Sequence, residues 1–154
     1  MSKEFDVAVV GAGPAGYHAA IRAAQLGLKT VCIDRWVDAS GQAVLGGTCL
    51  NVGCIPSKAL LDTSHKFSQA QSEFESLGIM TEGLALDVAQ MQRHKDTIVQ
   101  NLTKGVAGLL KSNGVEVVSG TASLQAGKRL QVTDVAGRAS MIAAEHIILA
   151  PGSN

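Results

Sequence analysis

A short apolar segment that runs directly into a glycine-rich turn is the feature that most constrains the fold of this chain. Residues 5–10 (FDVAVV) predict a buried strand, and the turn GAGPAG at 11–16 follows it. Residues 15–26 predict an alanine-rich helix that ends before Gly27, and residues 29–34 (KTVCID) predict a second buried strand. A strand, a short helix and a strand form a βαβ unit, so we expect two parallel strands joined by a right-handed crossover.

The glycines of this turn have the spacing G-x-G-x-x-G, which is typical of dinucleotide-binding sites. Gly11 permits the tight turn, Gly13 lets the backbone approach a pyrophosphate, and Gly16 lets the helix pack closely on the strand. The N-terminus of the helix offers N–H groups and a partial positive charge to phosphates. Asp34 follows Gly16 by 34 − 16 = 18 residues, and its carboxylate can accept hydrogen bonds from a ribose diol. This pattern predicts a site for NAD or FAD, and a glycine turn without a ligand is the simpler alternative.

The rest of the chain predicts two long helices and four short strands. The helices span residues 55–74 and 87–112, and a loop of small residues at 38–47 precedes them. The apolar stripe of the second helix comprises Val88, Met91, Ile98, Leu102, Val106 and Leu109. The strands span residues 115–119, 121–125, 130–133 and 146–149, of which the middle two are antiparallel. We therefore predict an α/β fold with a Rossmann-like parallel sheet and a small antiparallel β meander.

Charge and composition exclude several classes of function. Lys and Arg number 13 and Asp and Glu number 13, so the chain has no net charge that would attract nucleic acid or an anionic membrane surface. The 46% of apolar residues are typical of a globular domain, and no apolar run approaches the roughly 20 residues of a membrane span. The run at 7–10 is too short for a signal peptide, so we expect a cytoplasmic protein. Because the chain ends at 151–154 directly after an apolar strand, we also expect it to be a piece of a longer protein.

Two cysteines five positions apart, Cys49 and Cys54, are the second constraining feature. A disulfide needs Cα atoms roughly 4.4–6.8 Å apart, whereas residues at this spacing lie about 8–9 Å apart in a helix and about 17 Å apart in a strand. A bond between them therefore requires a distorted backbone, which Asn51 and Gly53 tolerate. We expect such a bond to be strained and readily reduced. After reduction, Cys54 would lie at a helix N-terminus with Lys58 one turn further on, and both features favour a thiolate.

Other interpretations of the cysteines have less support from the sequence. A zinc site would need a second cysteine pair, and His65 lies beyond the usual ligand spacing, so we predict no metal site. A purely structural disulfide is rare in a cytoplasmic protein. Two unrelated buried thiols are the remaining alternative to a redox-active pair. Cys32 lies within an apolar strand, and we expect it to be a small core residue.

The motif GGTCLNVGCIPSK at 46–58 is similar to the active-site signature of the flavin-linked pyridine nucleotide-disulfide oxidoreductases. The strand, turn and helix at 9–34 also resemble this family. Leu50, Ile55 and Ser57 make the motif most similar to the dihydrolipoyl dehydrogenase branch, because glutathione-type members usually have valines and a lysine at these places. Glutathione-type and mercuric-type reductases are the alternatives within the family.

The resemblance implies that the chain is the N-terminal part of an FAD-binding domain. Asp34 would bind the adenosine ribose, where the family usually has the longer Glu, and Gly120 would contact the adenine. Gly47 and Thr48 would lie along the pyrophosphate and the ribityl chain. The full set that the resemblance assigns to the cofactor is Gly11, Gly13, Pro14, Ala15, Gly16, Asp34, Arg35, Gly47, Thr48, Cys49, Gly53, Cys54, Lys58, Gly120, Ala150, Gly152 and Ser153.

The implied reaction is the oxidation of dihydrolipoamide, with FAD as the electron carrier and NAD as the final acceptor. Cys49, Cys54 and Lys58 would be catalytic: Cys49 exchanges with the dithiol, Cys54 is the thiol nearest the flavin, and Lys58 lies beside the flavin ring. The implied partners are the lipoyl domains of an acyltransferase or an H-protein, and a second copy of the protein in a homodimer.

The family's NAD domain, interface domain and remaining FAD-domain segments match nothing in residues 1–154. The family's catalytic base is a histidine of the interface domain, and the four histidines of this chain match no such motif: His18, His65, His94 and His146. We expect His18 and His94 to be solvated, and His65 to pack beside Leu61. The chain alone is therefore expected to be inactive in turnover, and an inert flavin-binding module is the alternative to part of an enzyme.

Overall fold

A six-stranded sheet is the centre of the computed structural model, which describes residues 3–38, 41 and 43–153. The strands are β1 (Lys3–Val10), β2 (Thr30–Asp34), β3 (Glu116–Ser119), β4 (Thr121–Gln125), β5 (Arg129–Thr133) and β6 (Ala139–Leu149). The helices are α1 (Pro14–Gln25), α2 (Gly47–Asn51), α3 (Cys54–Ser72) and α4 (Val88–Ser112), with a short 3₁₀ helix at Phe74–Leu77. No helix within these described ranges has the length and apolar character needed to cross a membrane.

The sheet combines a parallel half with an antiparallel half in the order β3-β2-β1-β6-β5-β4. Strand β1 pairs in parallel with β2 on one side and with β6 on the other, and β2 pairs in parallel with β3. Strands β4, β5 and the first half of β6 pair antiparallel. The predicted α/β fold, with a parallel sheet and a small meander, is therefore confirmed.

Both faces of the parallel strands are covered. On one face, Val9 and Cys32 pack against Ala20 of α1 and Leu110 of α4. On the other face, a second cluster joins the parallel strands to the meander and comprises Phe5, Ala8, Val31, Ile33, Leu130, Val132, Ile142 and Ala144. Burial on two faces explains why the first two strands have nearly continuous apolar sequences and no alternation.

Strand β6 differs most from its prediction, because it begins at Ala139 and not at residue 146. Its first half contains alanine, serine and methionine, which have little preference for strands. This half nevertheless forms a strand because it pairs with β5, in a register that sets Ile142 opposite Leu130. The second half pairs with β1, so one strand connects the meander to the parallel sheet.

Helix α4 ends at Ser112 as predicted and begins one residue later than predicted, but its buried face is rotated from the predicted stripe. Thr103, Val106 and Leu110 are the buried residues, whereas Leu102 and Leu109 are 43% and 52% exposed. Adjacent helical positions differ by about 100°, so a stripe displaced by one residue faces solvent. Thr103 can replace an apolar residue in the core because its hydroxyl donates to the Gln100 carbonyl at 3.2 Å.

The segment predicted as a loop ends in a helix that the sequence analysis missed. Helix α2 covers only Gly47–Asn51, and helix α3 follows it after two residues. Residues 39, 40 and 42 of the predicted loop lie outside the described residues. This pair of helices carries the two cysteines, so its geometry decides the chemistry of the chain.

Candidate functional site

The predicted site residues follow the carboxyl ends of the parallel strands. The Gly11 N–H donates to the Ile33 carbonyl at 2.7 Å, and the Ala150 N–H donates to the Val10 carbonyl at 2.8 Å. The Gly120 N–H donates to the Asp34 carbonyl at 2.8 Å, which joins the end of β3 to the end of β2. In an open α/β sheet, this is the edge where ligands bind.

Gly11 and Gly16 are required by contacts inside the protein. Gly11 has φ +104°, and a Cβ there would lie 2.0 Å from the Ala150 carbonyl oxygen. A Cβ at Gly16 would lie 1.7 Å from the Gly11 carbonyl oxygen and 3.5 Å from Val9 Cγ1. These distances correspond to the tight turn and the close helix–strand packing predicted for the two positions.

Gly13 has no such internal requirement. Its φ of −68° suits any residue, and a Cβ there would meet nothing closer than the Gly47 Cα at 3.9 Å. Helix α1 begins with Pro14, no side chain of the described residues caps it, and its first turn holds no acidic residue. The positive end of the α1 dipole is therefore open on the side of Gly13, which suits an anionic ligand.

Asp34 holds the glycine turn with its carboxylate. Its Oδ2 accepts from the Ala12 N–H at 2.5 Å, and its Oδ1 accepts from the Trp36 N–H at 2.8 Å. A carboxylate has about four acceptor sites, so Asp34 can also accept from a ribose diol. Arg35 follows Asp34 directly and is exposed. The sequence analysis predicted the position of Asp34 at this edge but missed its bonds to the backbone.

Cys49 and Cys54 lie together because the backbone changes direction between α2 and α3. Cys49 is in α2, Cys54 is the first residue of α3, and both are free thiols that lie close enough for Cys54 to raise the pKa of Cys49. The Gly53 N–H donates to the Thr48 carbonyl at 2.7 Å, and a Cβ at Gly53 would lie only 3.0 Å from that oxygen. The predicted distortion is therefore present, and it is centred on Gly53. The prediction that Asn51 takes part in the backbone distortion is wrong, because Asn51 is an ordinary helical residue of α2.

The electrostatics of the pair distinguish its two thiols. The pKa of the Cys49 thiol is raised, mainly because it shares a hydrogen bond with the Cys54 side chain, and also through burial and the charge of Cys54. A backbone hydrogen bond from Cys54 and the Lys58 ammonium act in the opposite direction. Cys54 and Lys58 are exposed, and Cys49 is half-buried.

Cys32 is a core residue, as predicted. It is fully buried, and its thiol faces the Gly11 carbonyl oxygen at 3.8 Å. Burial, followed by the nearby charge of Asp34, raises the pKa of the Cys32 thiol to about 12. Its thiol is therefore protonated and unreactive at neutral pH.

Helix α2 connects the cysteines to the glycine turn. Gly47 packs so closely on the turn that its Cβ would lie 2.8 Å from the Gly13 Cα, and the Gly46 N–H donates to the Ala12 carbonyl at 2.8 Å. The Thr48 hydroxyl donates to the Ser153 carbonyl at 3.3 Å, which brings two further predicted residues together. Gly152, with φ +72°, precedes Ser153, and Asn154 lies outside the described residues.

The sequence analysis missed Gly46 and the side chain of Asn51. Gly46 has φ +104°, and a Cβ there would lie 2.7 Å from Leu50 Cβ, so only glycine fits. The repeated glycine before Thr48 is the signal that could have indicated it. Asn51 donates from its amide to two carbonyls, and the corresponding signal is a single polar residue in the segment LNVG between the two cysteines.

The histidines and acidic residues supply no further chemistry at this edge. His18 and His94 are exposed, as predicted, and His146 is exposed as well. His65 is also exposed and Leu61 is 65% exposed, so the predicted packing of His65 beside Leu61 is wrong. Within residues 3–38, 41 and 43–153, no group of three or more His, Cys, Asp or Glu side chains is arranged to hold a metal ion.

A parallel sheet with an open glycine turn at its carboxyl edge is typical of nucleotide-binding domains, and two free thiols lie one helix away from this turn. The family model for the pyridine nucleotide-disulphide oxidoreductases matches residues 5–154. The chain belongs to this family of oxidoreductases and flavoproteins.

Curated relatives agree with this assignment. A leghemoglobin reductase from Vigna unguiculata is 46% identical over 153 residues, which cover 99% of this chain and 28% of the relative. A mitochondrial dihydrolipoyl dehydrogenase from Pisum sativum is 44% identical over 153 residues, covering 99% of this chain and 29% of that relative. A dihydrolipoyl dehydrogenase from Cupriavidus necator is 47% identical over 157 residues, covering 99% of this chain and 32% of that relative. The chain thus spans about a third or less of the length of these relatives.

Proposed function

We propose that residues 1–154 form the N-terminal part of the FAD-binding domain of a dihydrolipoyl dehydrogenase. The observation that carries the proposal is the proximity of two free thiols, Cys49 and Cys54, on either side of the change of direction at Gly53 and one helix away from the glycine turn. Relatives that carry this name match nearly the whole chain at 44–47% identity. The proposed activity transfers an electron pair from dihydrolipoamide to NAD, with the NAD and interface domains supplied by other parts of such a protein.

The residues at the carboxyl edge suit FAD. The open side of Gly13 and the uncapped N-terminus of α1 suit a pyrophosphate, and Asp34 has acceptor capacity for a ribose. Gly47 lies against the same turn and Thr48 donates to the Ser153 carbonyl, and both residues would border the rest of the cofactor. Bound FAD would supply the two-electron chemistry that couples thiols to NAD.

The chain's own residues suit thiol–disulfide exchange. In the oxidised pair, a substrate thiolate attacks the Cys49 sulfur, the Cys49–Cys54 bond breaks, and Cys54 leaves as a thiolate. The second substrate thiol then attacks its own sulfur bound to Cys49, which releases the oxidised substrate and leaves Cys49 reduced. Two electrons thus move from the substrate to the pair. The raised pKa of Cys49 favours a protonated Cys49, and Cys54 lies at the N-terminus of α3 with Lys58 one turn further on.

The substrate, the partners and the compartment are parts of the proposal. Dihydrolipoamide on lipoyl domains, a homodimer and a cytoplasmic location are the expectations from the sequence. One of the relatives above is named a leghemoglobin reductase, and another is named a mitochondrial enzyme. Assays of a full-length parent protein with dihydrolipoamide, glutathione and mercuric ion distinguish the branches of the family. Dihydrolipoamide-dependent reduction of NAD is the expected result, and activity with only glutathione or mercuric ion would overturn the branch assignment.

The experiment on the chain itself is reconstitution with FAD. Trp36 is the only tryptophan of the chain, and its backbone N–H donates to the Asp34 carboxylate. Its fluorescence is therefore expected to fall when FAD occupies the site. Flavin absorbance should remain with the protein after gel filtration. A Gly13→Val variant is expected to lose both signals, because its side chain fills the open side of the turn, whereas a Gly105→Val variant in α4 should keep them. A colourless wild-type chain with unchanged fluorescence would contradict the proposal.

A further inference from the structure

Helix α2 carries Cys49 but is too short to hold its own position. It has five residues, Gly47–Asn51. The first four N–H groups and the last four carbonyls of any helix have no partner within the helix, so a helix of this length satisfies almost none of its own backbone. The orientation of Cys49 therefore depends on contacts from outside the ordinary helical hydrogen bonds.

The side chain of Asn51 supplies two of these contacts. Its Nδ2 donates to the Gly47 carbonyl at 2.9 Å and to the Leu45 carbonyl at 3.3 Å. Both partners are acceptors, so only a group with two hydrogens on one atom satisfies them together. Leu45 is buried at 7% exposure, and Asn51 is half-buried, so water replaces these bonds poorly.

These two bonds close the turn that connects the glycine turn to the cysteine pair. The turn runs through Gly46, in the left-handed region, to Gly47, which packs directly on Gly13. At its other end, Asn51 is followed by the change of direction that places Cys54 next to Cys49. We propose that Asn51 is a positioning residue, which fixes α2 so that the Cys49 thiol faces Cys54 and thereby sets the reduction potential of the pair. This inference rests on the proposed function of the pair as a dithiol centre.

The sharpest test is Asn51→Asp. Aspartate has the same size, but as a carboxylate it has no hydrogen to donate, so the oxygen in the place of Nδ2 would face two carbonyl oxygens. The measurement is the equilibrium of the chain with glutathione, in which the dithiol loses two electrons and two protons and one glutathione disulfide becomes two glutathione thiols. The equilibrium constant for closing the Cys49–Cys54 bond is expected to fall by about tenfold or more, which corresponds to about 30 mV in the potential.

Asn101→Asp is the matched control, because it makes the same chemical change at an exposed position of α4. It should leave the equilibrium within a factor of two of the wild type. An Asn51→Ala variant removes the two donors without adding a charge, and a fall of about threefold is expected from the lost bonds. Circular dichroism of each reduced variant checks that it is folded.

The outcomes separate this inference from the proposed function. If the wild-type chain closes the bond and Asn51→Asp closes it equally well, the positioning role is overturned while the dithiol centre stands. If Asn51→Asp does not fold, Asn51→Ala decides, and an unchanged equilibrium in that variant overturns the positioning role. If the wild type itself forms no Cys49–Cys54 bond at any ratio of glutathione to its disulfide, the proposed function fails.

Discussion

Adding one methyl group at Gly16 would displace the glycine turn of the candidate nucleotide site. In Gly16→Ala the new Cβ would lie 1.7 Å from the Gly11 carbonyl oxygen and 2.7 Å from its carbon. Atoms in ordinary contact are separated by about 3.5 Å, so the helix and the turn must move apart by about 1.8 Å. The carbonyl belongs to the backbone, and no rotation of a side chain can relieve the overlap.

The cost of this movement follows from the bonds that hold the turn. Gly11 donates to the Ile33 carbonyl at 2.7 Å, and Asp34 accepts from the Ala12 N–H, so the turn cannot shift without losing one of them. Overpacking inside a protein costs about 1–3 kcal/mol, and the displaced hydrogen bonds add about 1 kcal/mol each. We expect Gly16→Ala to lower the free energy of unfolding by about 3 kcal/mol and to abolish flavin binding.

Urea denaturation followed by circular dichroism measures this change. Gly105→Ala is the control, because a Cβ at Gly105 meets nothing within 4 Å in the middle of α4. The control should increase the free energy of unfolding by about 0.5–1 kcal/mol, since alanine favours helix over glycine. If Gly16→Ala unfolds within about 0.5 kcal/mol of the wild type and binds FAD, the argument for close packing at this turn is refuted.

Three further predictions concern the thiol pair and the long helix. Cys54→Ala removes the hydrogen bond that raises the pKa of Cys49, so the pH midpoint for alkylation of Cys49 should move down, and an unchanged midpoint would contradict the coupling. Leu110→Ala should lower the free energy of unfolding by about 2–5 kcal/mol, and Leu109→Ala should lower it by less than about 1 kcal/mol. Equal effects would mean that the stripe predicted from the sequence, which contains Leu109, is the buried one. Asp87→Ala removes the N-cap of α4 and should lower the free energy of unfolding, measured by urea denaturation, by about 1 kcal/mol. An unchanged free energy of unfolding would contradict the capping role of Asp87.

The sequence predicts most elements whose ends are marked by residues with strong local preferences. Strand β4 has the predicted bounds. Helix α1 begins and ends one residue earlier than predicted, and α4 begins one residue later than predicted. Glycine and proline mark these ends, and the apolar runs between them are long enough to have one interpretation. Helix α2 was missed because five residues in a glycine-rich segment carry no periodic signal. The first half of β6 was missed because its pairing with β5 outweighs its weak preference for strand.

In the candidate site too, the sequence predicts the types of residue that are present but not the residues that surround them. The types at the glycine turn and in the cysteine motif are sufficient to predict a nucleotide and a thiol pair at one edge of the sheet. Their hydrogen-bond partners depend on which distant segments the fold brings to that edge, and sequence spacing does not report this. The bond from the Ala12 N–H to Asp34 joins positions 22 residues apart, and the bond from Thr48 to Ser153 joins positions 105 residues apart.

These distant contacts hold the glycine turn from two sides. Asp34 holds the turn from the side of β2 through Ala12, and Gly47 holds it from the side of α2 through contact with Gly13. The family usually has glutamate where Asp34 lies, and the side chain of aspartate is shorter by one methylene. The shorter side chain keeps its carboxylate against the Ala12 and Trp36 N–H groups of its own backbone. A turn held from both sides loses little conformational freedom when a pyrophosphate arrives, so binding energy is not spent on ordering it. Because α2 also carries Cys49, the contact that shapes the nucleotide site simultaneously places the dithiol beside it.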